Sequence, residues 1–233
     1  MEADFLERGV MRFAIFSDLH DNGAGLAAVL TDAAQWQVDN FVYLGDVGRD
    51  PQLFLALQER SIACTFGNWE VSGWQRLPVP LADWVRDWPA LIRRPQAIFC
   101  HATPDMPPLV TSTATAEAYM RNNLSWHTLF PRLHRHEGAR WEALATLEAT
   151  DVQVAFHGHT HVQEVWAWAD EGQGQRRLRN FREPAEFTLE PGSPTAPNRY
   201  LIGVGSAGAP DDGPQLRYVI YDETTAQVWL RQL

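Results

Sequence analysis

Short apolar runs alternate with amphipathic stretches in the first part of the chain. Each run has the length of a buried strand, and the first three are followed directly by Asp or Gly. The predicted strands cover residues 12–17, 41–44, 62–66, 97–100 and 152–156. Between the first two, Leu26, Val29, Leu30 and Ala33 recur at helical spacing and predict an amphipathic helix. Since parallel strands need long crossover connections, this alternation predicts a mostly parallel sheet.

The spacing changes after residue 162, where candidate strands follow one another closely between Gly, Pro and Asp turns. They cover residues 162–168, 176–182, 200–204, 216–221 and 226–230. We predict that this part is mostly antiparallel. Together the two parts predict an α/β fold with two sheets packed face to face and helices outside. We assign residues 1–10 to an N-terminal extension, with Met11 as an alternative start, and residues 11–233 to a single domain.

The composition is that of an ordered globular protein. Apolar residues make up 45% of the 233 residues, which is enough for one sizeable core. With 29 acidic and 19 basic residues, the formal net charge is −10, so overall charge argues against nucleic acid as a partner. The sequence has no long apolar span or signal-peptide pattern, and its two cysteines lie in apolar runs. We therefore predict a soluble, cytoplasmic protein that has no membrane partner.

Seven residues with metal-ligating side chains follow the predicted strands closely. They are Asp18 and His20 after the first strand, Asp46 after the second, Asn68 after the third, His101 after the fourth, and His159 and His161 after the fifth. Ligands in open α/β sheets bind beyond the carboxyl ends of the strands, so these side chains can meet in one crevice. Carboxylate, amide and imidazole groups without a thiolate favour divalent first-row metals. A carboxylate can bridge two cations, and sharing Asp46 would give each of two metals four ligands.

Each part of this pattern also has a purely structural explanation. Asp18 and His20 could be turn or capping residues, and His101 could be a hydrogen-bonded core histidine. The alternating residues His157, His159 and His161 could form the water-facing side of a strand. It is their shared position at strand ends that favours a common site.

In order and in local sequence, these segments resemble the calcineurin-like metallophosphoesterases. The matching segments are Asp18-Leu19-His20, Gly45-Asp46, Gly67-Asn68, His101 after a strand, and Gly158-His159-Thr160-His161. Small bacterial phosphodiesterase-like members are the most similar, because they have a Gly-Ser turn near the end, as at Gly205-Ser206. The resemblance implies the metallo-dependent phosphatase fold, a four-layer α/β/β/α sandwich of two mixed sheets.

The resemblance also implies the ligand set and the chemistry. It puts Asp18, His20 and His161 on one divalent metal ion, and Asn68, His101 and His159 on a second, with Asp46 on both. We also count Asp46, Asn68 and His101 as catalytic residues. The two ions, in the first place Mn²⁺ with Fe, Zn or Ni as alternatives, would activate a water as the nucleophile and clamp the phosphoryl oxygens.

Two positions depart from the family pattern. Many members have, after the Gly-Asn pair, a His that is assigned to stabilising or protonating the leaving oxygen, whereas this chain has Trp69. Alternative proton donors are His127, His134 and His136, although surface histidines in a loop are the more common case. Arg49 stands three positions after Asp46, and phosphoprotein phosphatases of the family have an Arg one position later.

We take Arg49, Trp69 and His127 as candidate substrate contacts. Trp69, Trp74 and Trp126 could also form an aromatic wall on which a nucleobase stacks, although tryptophan in the core is the more common case.

The predicted function is hydrolysis of a small phosphodiester or phosphomonoester, including nucleotide-like esters. The alternatives are an inactive scaffold, which Trp69 favours, a nuclease, which the net charge disfavours, and a phosphoprotein phosphatase, which the displaced Arg49 disfavours.

Overall fold

Two six-stranded sheets lie at the centre of the described part of the chain. The computed structural model describes residues 11–38, 40–123, 125–170, 175–183 and 185–233. The proposed extension at residues 1–10 lies outside the described residues, so its boundary stays a prediction.

Each of the ten predicted runs overlaps a strand, and four short strands were not predicted, namely Leu91–Arg93, Glu186–Thr188, Gly192–Ser193 and Ala196–Pro197. The strands are β1 (Arg12–Phe16), β2 (Asn40–Tyr43), β3 (Ala63–Cys64), β4 (Leu91–Arg93), β5 (Ala97–Cys100), β6 (Val154–His157), β7 (Gln163–Asp170), β8 (Arg176–Phe181), β9 (Glu186–Thr188), β10 (Gly192–Ser193), β11 (Ala196–Pro197), β12 (Arg199–Val204), β13 (Arg217–Asp222) and β14 (Gln227–Gln232). The α-helices are α1 (Gly23–Gln35), α2 (Pro51–Glu59), α3 (Asn68–Gly73), α4 (Val79–Arg86), α5 (Thr113–Asn122) and α6 (Glu137–Ala149), and 3₁₀ turns cover Trp74–Arg76 and Trp126–Thr128. None of the described helices is long and apolar enough to cross a membrane.

Each sheet is mixed, as predicted. The first has the order β3-β2-β1-β13-β14-β9, in which β1, β2 and β3 are parallel and the other strands pair antiparallel. The second has the order β4-β5-β6-β12-β7-β8, in which β5, β6 and β12 are parallel.

Within the first part the strands pair mostly parallel, and within the second part they pair antiparallel, as predicted, but the two parts do not form separate sheets. Strand β12 pairs parallel with β6, and β13 pairs antiparallel with β1. Both strands are buried along their whole length, so each needs cover on both faces. Strands β12 and β13 are covered on both faces because each lies in the middle of a sheet and not in a separate layer.

Alternating residues of the central strands separate the layers. Phe13 and Ile15 of β1 point into the core between the sheets, whereas Ala14 and Phe16 face the helices. Helices α1 and α2 cover that outer face of the first sheet. Helix α6 covers the second sheet through side chains that include Leu144. The four-layer α/β/β/α sandwich is thereby confirmed.

Candidate metal centre

The carboxyl ends of the parallel strands in both sheets meet at one end of the sandwich. The loops after β1, β2 and β3 carry candidate ligands from the first sheet, and the loops after β5 and β6 carry those from the second. All seven predicted residues lie together there, six of them in two groups of three and Asn68 beside the second group. The site therefore spans the junction between the two sheets.

The first group consists of Asp18, His20 and His161. The Nε2 atoms of His20 and His161 are 3.0 Å apart, and Asp18 Oδ1 lies 3.4 Å from Nε2 of His161 and 3.8 Å from Nε2 of His20. Asp18 Oδ1 is buried and accepts no hydrogen bond from the described residues. A buried carboxylate oxygen facing two imidazole nitrogens is costly unless a cation satisfies all three. This donor set fits a divalent metal ion.

The second group consists of Asp46, His101 and His159, with Asn68 beside them. Asn68 Oδ1 is 3.2 Å from His101 Nε2. Asp46 Oδ2 lies 3.6 Å from His101 Nε2 and 3.9 Å from Nε2 of His20 in the first group. One carboxylate oxygen thus stands between the two groups, where it could contact two ions.

Backbone carbonyls fix which nitrogen of three histidines faces the centre. The carbonyl of Leu44 lies 2.8 Å from His101 Nδ1, that of Phe130 lies 3.0 Å from His159 Nε2, and that of Ala209 lies 2.7 Å from His161 Nδ1. Because a carbonyl oxygen only accepts, each of these nitrogens carries the proton. The other nitrogen then presents a lone pair, which is Nε2 in His101 and His161 and Nδ1 in His159. Such outer hydrogen bonds are typical of histidines that bind metals.

Five of the candidate ligands have a left-handed backbone. The φ angles are 57° for Asp18, 46° for His20, 63° for Asp46, 62° for His159 and 58° for His161. Residues other than Gly seldom adopt this conformation, and it costs about 1–3 kcal/mol at each position. The surrounding fold therefore imposes these sharp turns, which point successive side chains to the same side.

Burial keeps two of the candidate ligand histidines neutral. It lowers the pKa of His101 to about 4 and that of His159 to about 3, so both are in the metal-binding form near neutral pH. The pKa of Asp46 is raised by burial and by the neighbouring carboxylates of Glu70 and Asp18. Concentrated negative charge of this kind is relieved by a bound cation.

A family model for the calcineurin-like phosphoesterase superfamily domain matches residues 11–226. The chain belongs to this superfamily. The predicted family is thereby confirmed, and the two groups above are candidate ligand sets for the divalent metals that the family binds. Among curated proteins, no sequence matches the chain significantly.

Solved structures that are similar to this chain include metallophosphoesterases and phosphodiesterases. A metallophosphoesterase from Sphaerobacter thermophilus is 21% identical, with a TM-score of 0.65 over 96% of this chain and 88% of that one. A novel archaeal phosphodiesterase is 14% identical, with a TM-score of 0.47 over 96% of this chain and 100% of that one. The phosphoesterase Yfce from E. coli is 15% identical, with a TM-score of 0.43 over 91% and 89%. The likeness to the Sphaerobacter protein shows a common fold.

A buried glutamate holds two of the calcineurin-like motifs together, and sequence reasoning missed it. Glu70 accepts hydrogen bonds from the backbone N–H groups of Asp46 (2.8 Å), Val47 (2.9 Å) and Gly67 (2.7 Å). Burial raises its pKa, and the N–H donors oppose that shift. The signal was present in the sequence, because Glu at the third position of a helix after Gly67 has capping-box spacing.

The predicted Gly-Ser turn contributes to the centre through backbone contacts. Ser206 donates a hydrogen bond to the carbonyl of Asp18 (2.7 Å) and accepts one from the N–H of Ala209 (2.7 Å). Ala209 in turn accepts from His161 through its carbonyl. Ser206 thus couples the loop after β1 to the loop that orients His161.

The three candidate substrate contacts lie in two places. Arg49 and Trp69 line a cavity beside the metal centre, together with Asn68. The Arg49 guanidinium is 5.4 Å from the Trp69 ring, and that ring meets His20 edge-on at 5.0 Å. His127 instead lines a separate groove with Thr103 and Ser125, and its ring lies 5.3 Å from that of His136. A substrate contact for His127 stays a prediction.

Proposed function

We propose that the protein is a hydrolase that binds two divalent metal ions and cleaves a small phosphate ester, either a diester or a monoester. One observation carries the proposal. The unpartnered, buried Asp18 Oδ1 faces the Nε2 atoms of His20 and His161, and Asp46 Oδ2 stands between this group and the second one. Manganese is the first candidate among ions suited to such oxygen and nitrogen donors.

Each candidate ligand has a proposed role in holding one or both metal ions. Asp18, His20 and His161 would hold one ion, Asn68, His101 and His159 the other, and Asp46 both. When bound, the ions lower the pKa of a water and neutralise charge on the phosphoryl oxygens. The buried loops keep the ligand atoms in place before substrate arrives, so little rearrangement is needed during the reaction.

The side chain of Trp69 determines whether the leaving group can receive a proton from this position. Trp69 donates its backbone N–H to Asp46 Oδ1 at 2.9 Å, and its indole ring packs against His20. An indole N–H does not ionise near neutral pH and therefore cannot serve as a general acid. The position thus favours esters whose leaving group departs without receiving a proton from residue 69.

Hydrolysis of bis(p-nitrophenyl) phosphate by the manganese-loaded protein tests the proposal. We expect turnover, and Asp46→Ala should lower it by at least about a hundredfold, because loss of even an outer partner of a ligand costs about 10–100-fold. Asp83→Ala, at an exposed position on α4, is the matched control and should keep the wild-type rate. Parallel assays with p-nitrophenyl phosphate separate diester from monoester preference.

Elemental analysis distinguishes an enzyme from a scaffold. Two bound ions per chain with turnover support the proposal. Two bound ions without hydrolysis of either ester would indicate the inactive scaffold instead. Equal rates for wild type and Asp46→Ala would also contradict the proposed function.

A further inference from the structure

A cavity of about 390 Å³ opens directly beside the candidate metal centre. Its walls include three tryptophans and two arginines, namely Arg49, Trp69, Trp74, Arg76 and Trp126. Asn68 belongs both to this cavity and to the second ligand group. The volume falls within the range of about 300–1,000 Å³ that is typical of small-molecule sites. A substrate phosphate at the metal centre would therefore have room for one substituent here.

Contacts on their outer sides hold the aromatic walls in place. The indole N–H of Trp74 donates to Glu117 at 3.0 Å. Trp126 stacks on Phe130, with ring centroids 5.6 Å apart and an interplanar angle of 28°. Phe130 in turn meets the ring of His101 edge-on at 5.8 Å. Rings that are already held in place lose little conformational entropy when a ligand binds.

The charge around the cavity differs from that of the whole chain. Arg49 and Arg76 are exposed cations at its rim, although the chain carries a net charge of −10. Among the described residues that line the cavity, the one carboxylate is that of Glu70, which is buried and accepts three backbone N–H groups. Flat aromatic walls beside cationic side chains suit a ligand with a planar ring and a phosphate.

We propose that this cavity binds a planar aromatic group that is covalently attached to the phosphate, so that the substrates are aryl or nucleoside phosphate esters. This inference rests on the proposed function, because it places the phosphate at the metal centre. It also gives Trp69 a positive role. At the position where many family members have His, the indole provides a stacking surface next to His20.

Equilibrium titration of the manganese-loaded protein with paired phosphonates tests the inference without relying on turnover, since a C–P bond is not hydrolysed. The pairs are phenylphosphonate with ethylphosphonate, and 5′-deoxyadenosine 5′-phosphonate with 5-deoxyribose 5-phosphonate, in all of which carbon is bonded directly to phosphorus. We expect the aromatic member of at least one pair to bind at least about tenfold more tightly, equal to about 1.4 kcal/mol. The pair that shows the difference identifies the aromatic group as a simple aryl ring or a nucleobase.

Two leucine variants complete the test. Trp126→Leu should reduce the tenfold preference to about threefold or less and leave the affinity for ethylphosphonate unchanged. Trp141→Leu is the matched control, because Trp141 is 40% exposed and Trp126 is 41% exposed, and Trp141 packs on Trp168 away from the cavity. It should retain the full preference.

The outcomes separate the two proposals. Equal binding within both pairs by the wild-type protein, or a preference that survives Trp126→Leu unchanged, would overturn the aromatic cavity while leaving a phosphoesterase intact. Tight, Trp126-dependent binding of an aromatic phosphonate without hydrolysis of any ester would support the cavity and overturn the proposed catalysis.

Discussion

The metal centre and the aromatic cavity share Asn68 but are built in opposite ways. In the centre, strained turns and buried backbone hydrogen bonds position the side chains, as at Asp18 and Asp46. In the cavity, half-buried or exposed rings on short helices form the walls, as at Trp74 and Trp126. The first region depends on atoms that cannot move without disturbing the sheets. We infer that the second can change its residues, and hence its ligand, while the first remains intact.

The largest loss of manganese affinity is expected from a substitution at Gly158, where the neighbouring atoms are packed closely. A Cβ on Gly158 would overlap the side chain of Ser17 and approach Asp18 Oδ2 at 2.7 Å. Gly158→Ala should therefore displace the loop that carries His159 and lower manganese affinity by at least about a hundredfold, in line with overpacking costs of about 1–3 kcal/mol combined with misplaced ligands. Calorimetric titration with manganese measures this.

Gly138→Ala provides the matched control for that change. Gly138 lies in the first turn of α6, and a Cβ there meets nothing within 4 Å. The substitution should leave metal affinity unchanged and raise stability by up to about 0.5–1 kcal/mol, because Ala favours the helix. Wild-type metal affinity in Gly158→Ala would show that the strand-end loops are not rigid.

A smaller loss of manganese affinity should follow when the loops keep their shape but lose one of the hydrogen bonds that Glu70 accepts. In Glu70→Gln, an NH₂ group replaces one carboxylate oxygen, so it faces backbone N–H donors and leaves at least one of them unpaired. We expect manganese affinity to fall by about 10–100-fold. Glu59→Gln, at the exposed end of α2, should bind the metal like the wild type. Unchanged affinity in Glu70→Gln would remove the positioning role that we assign to Glu70.

The clustering of the seven candidate ligands could be predicted because the relevant pattern is local. Each of them directly follows an apolar run or stands a few positions beyond it, and parallel strands place such positions at one sheet edge. The backbone partners could not be predicted in this way. The carbonyls of Leu44, Phe130 and Ala209 orient three histidines, yet every residue has a carbonyl, so no residue type marks them.

The order of the strands within each sheet could not be predicted from the sequence, for a related reason. The apolar runs of β12 and β13 show that both are buried, but they do not show which neighbours cover them. Their positions beside β6 and β1 follow from the packing of the whole sandwich. The cavity was predictable only in part, because Trp69, Trp74 and Trp126 stand out in the sequence while the distances between them depend on tertiary structure.

A change remote from both regions tests whether stability alone controls metal binding. Asp32 of α1 accepts hydrogen bonds from Tyr218 at 2.5 Å and from two Arg231 nitrogens at 2.9 Å each. Although burial opposes ionisation, these partners lower the pKa of Asp32 below its ordinary value of 3.8. The carboxylate therefore stabilises the fold above that value, and the contribution is lost as the pH falls through the lower, folded-state pKa.

Asp32→Asn should lower the free energy of unfolding by roughly 1–2 kcal/mol near neutral pH. The difference from wild type should shrink as the pH falls below 3.8. Urea titrations at several pH values measure it. Manganese affinity at neutral pH should stay at the wild-type value, since the partners of Asp32 lie on β13 and β14, which carry none of the candidate ligands. A parallel loss of metal affinity would mean that the centre responds to global stability and not to its local turns.

The smallest effect on the centre is expected from the cavity wall. Trp126 is 41% exposed and lies in a 3₁₀ turn, so Trp126→Leu should change the free energy of unfolding by about 0.5 kcal/mol or less and leave two manganese ions per chain. The same variant should lose the preference for aromatic phosphonates. Retained metal together with altered ligand preference is the result that separates the two regions. Loss of metal in Trp126→Leu would show instead that the stack through Phe130 to His101 makes them one unit.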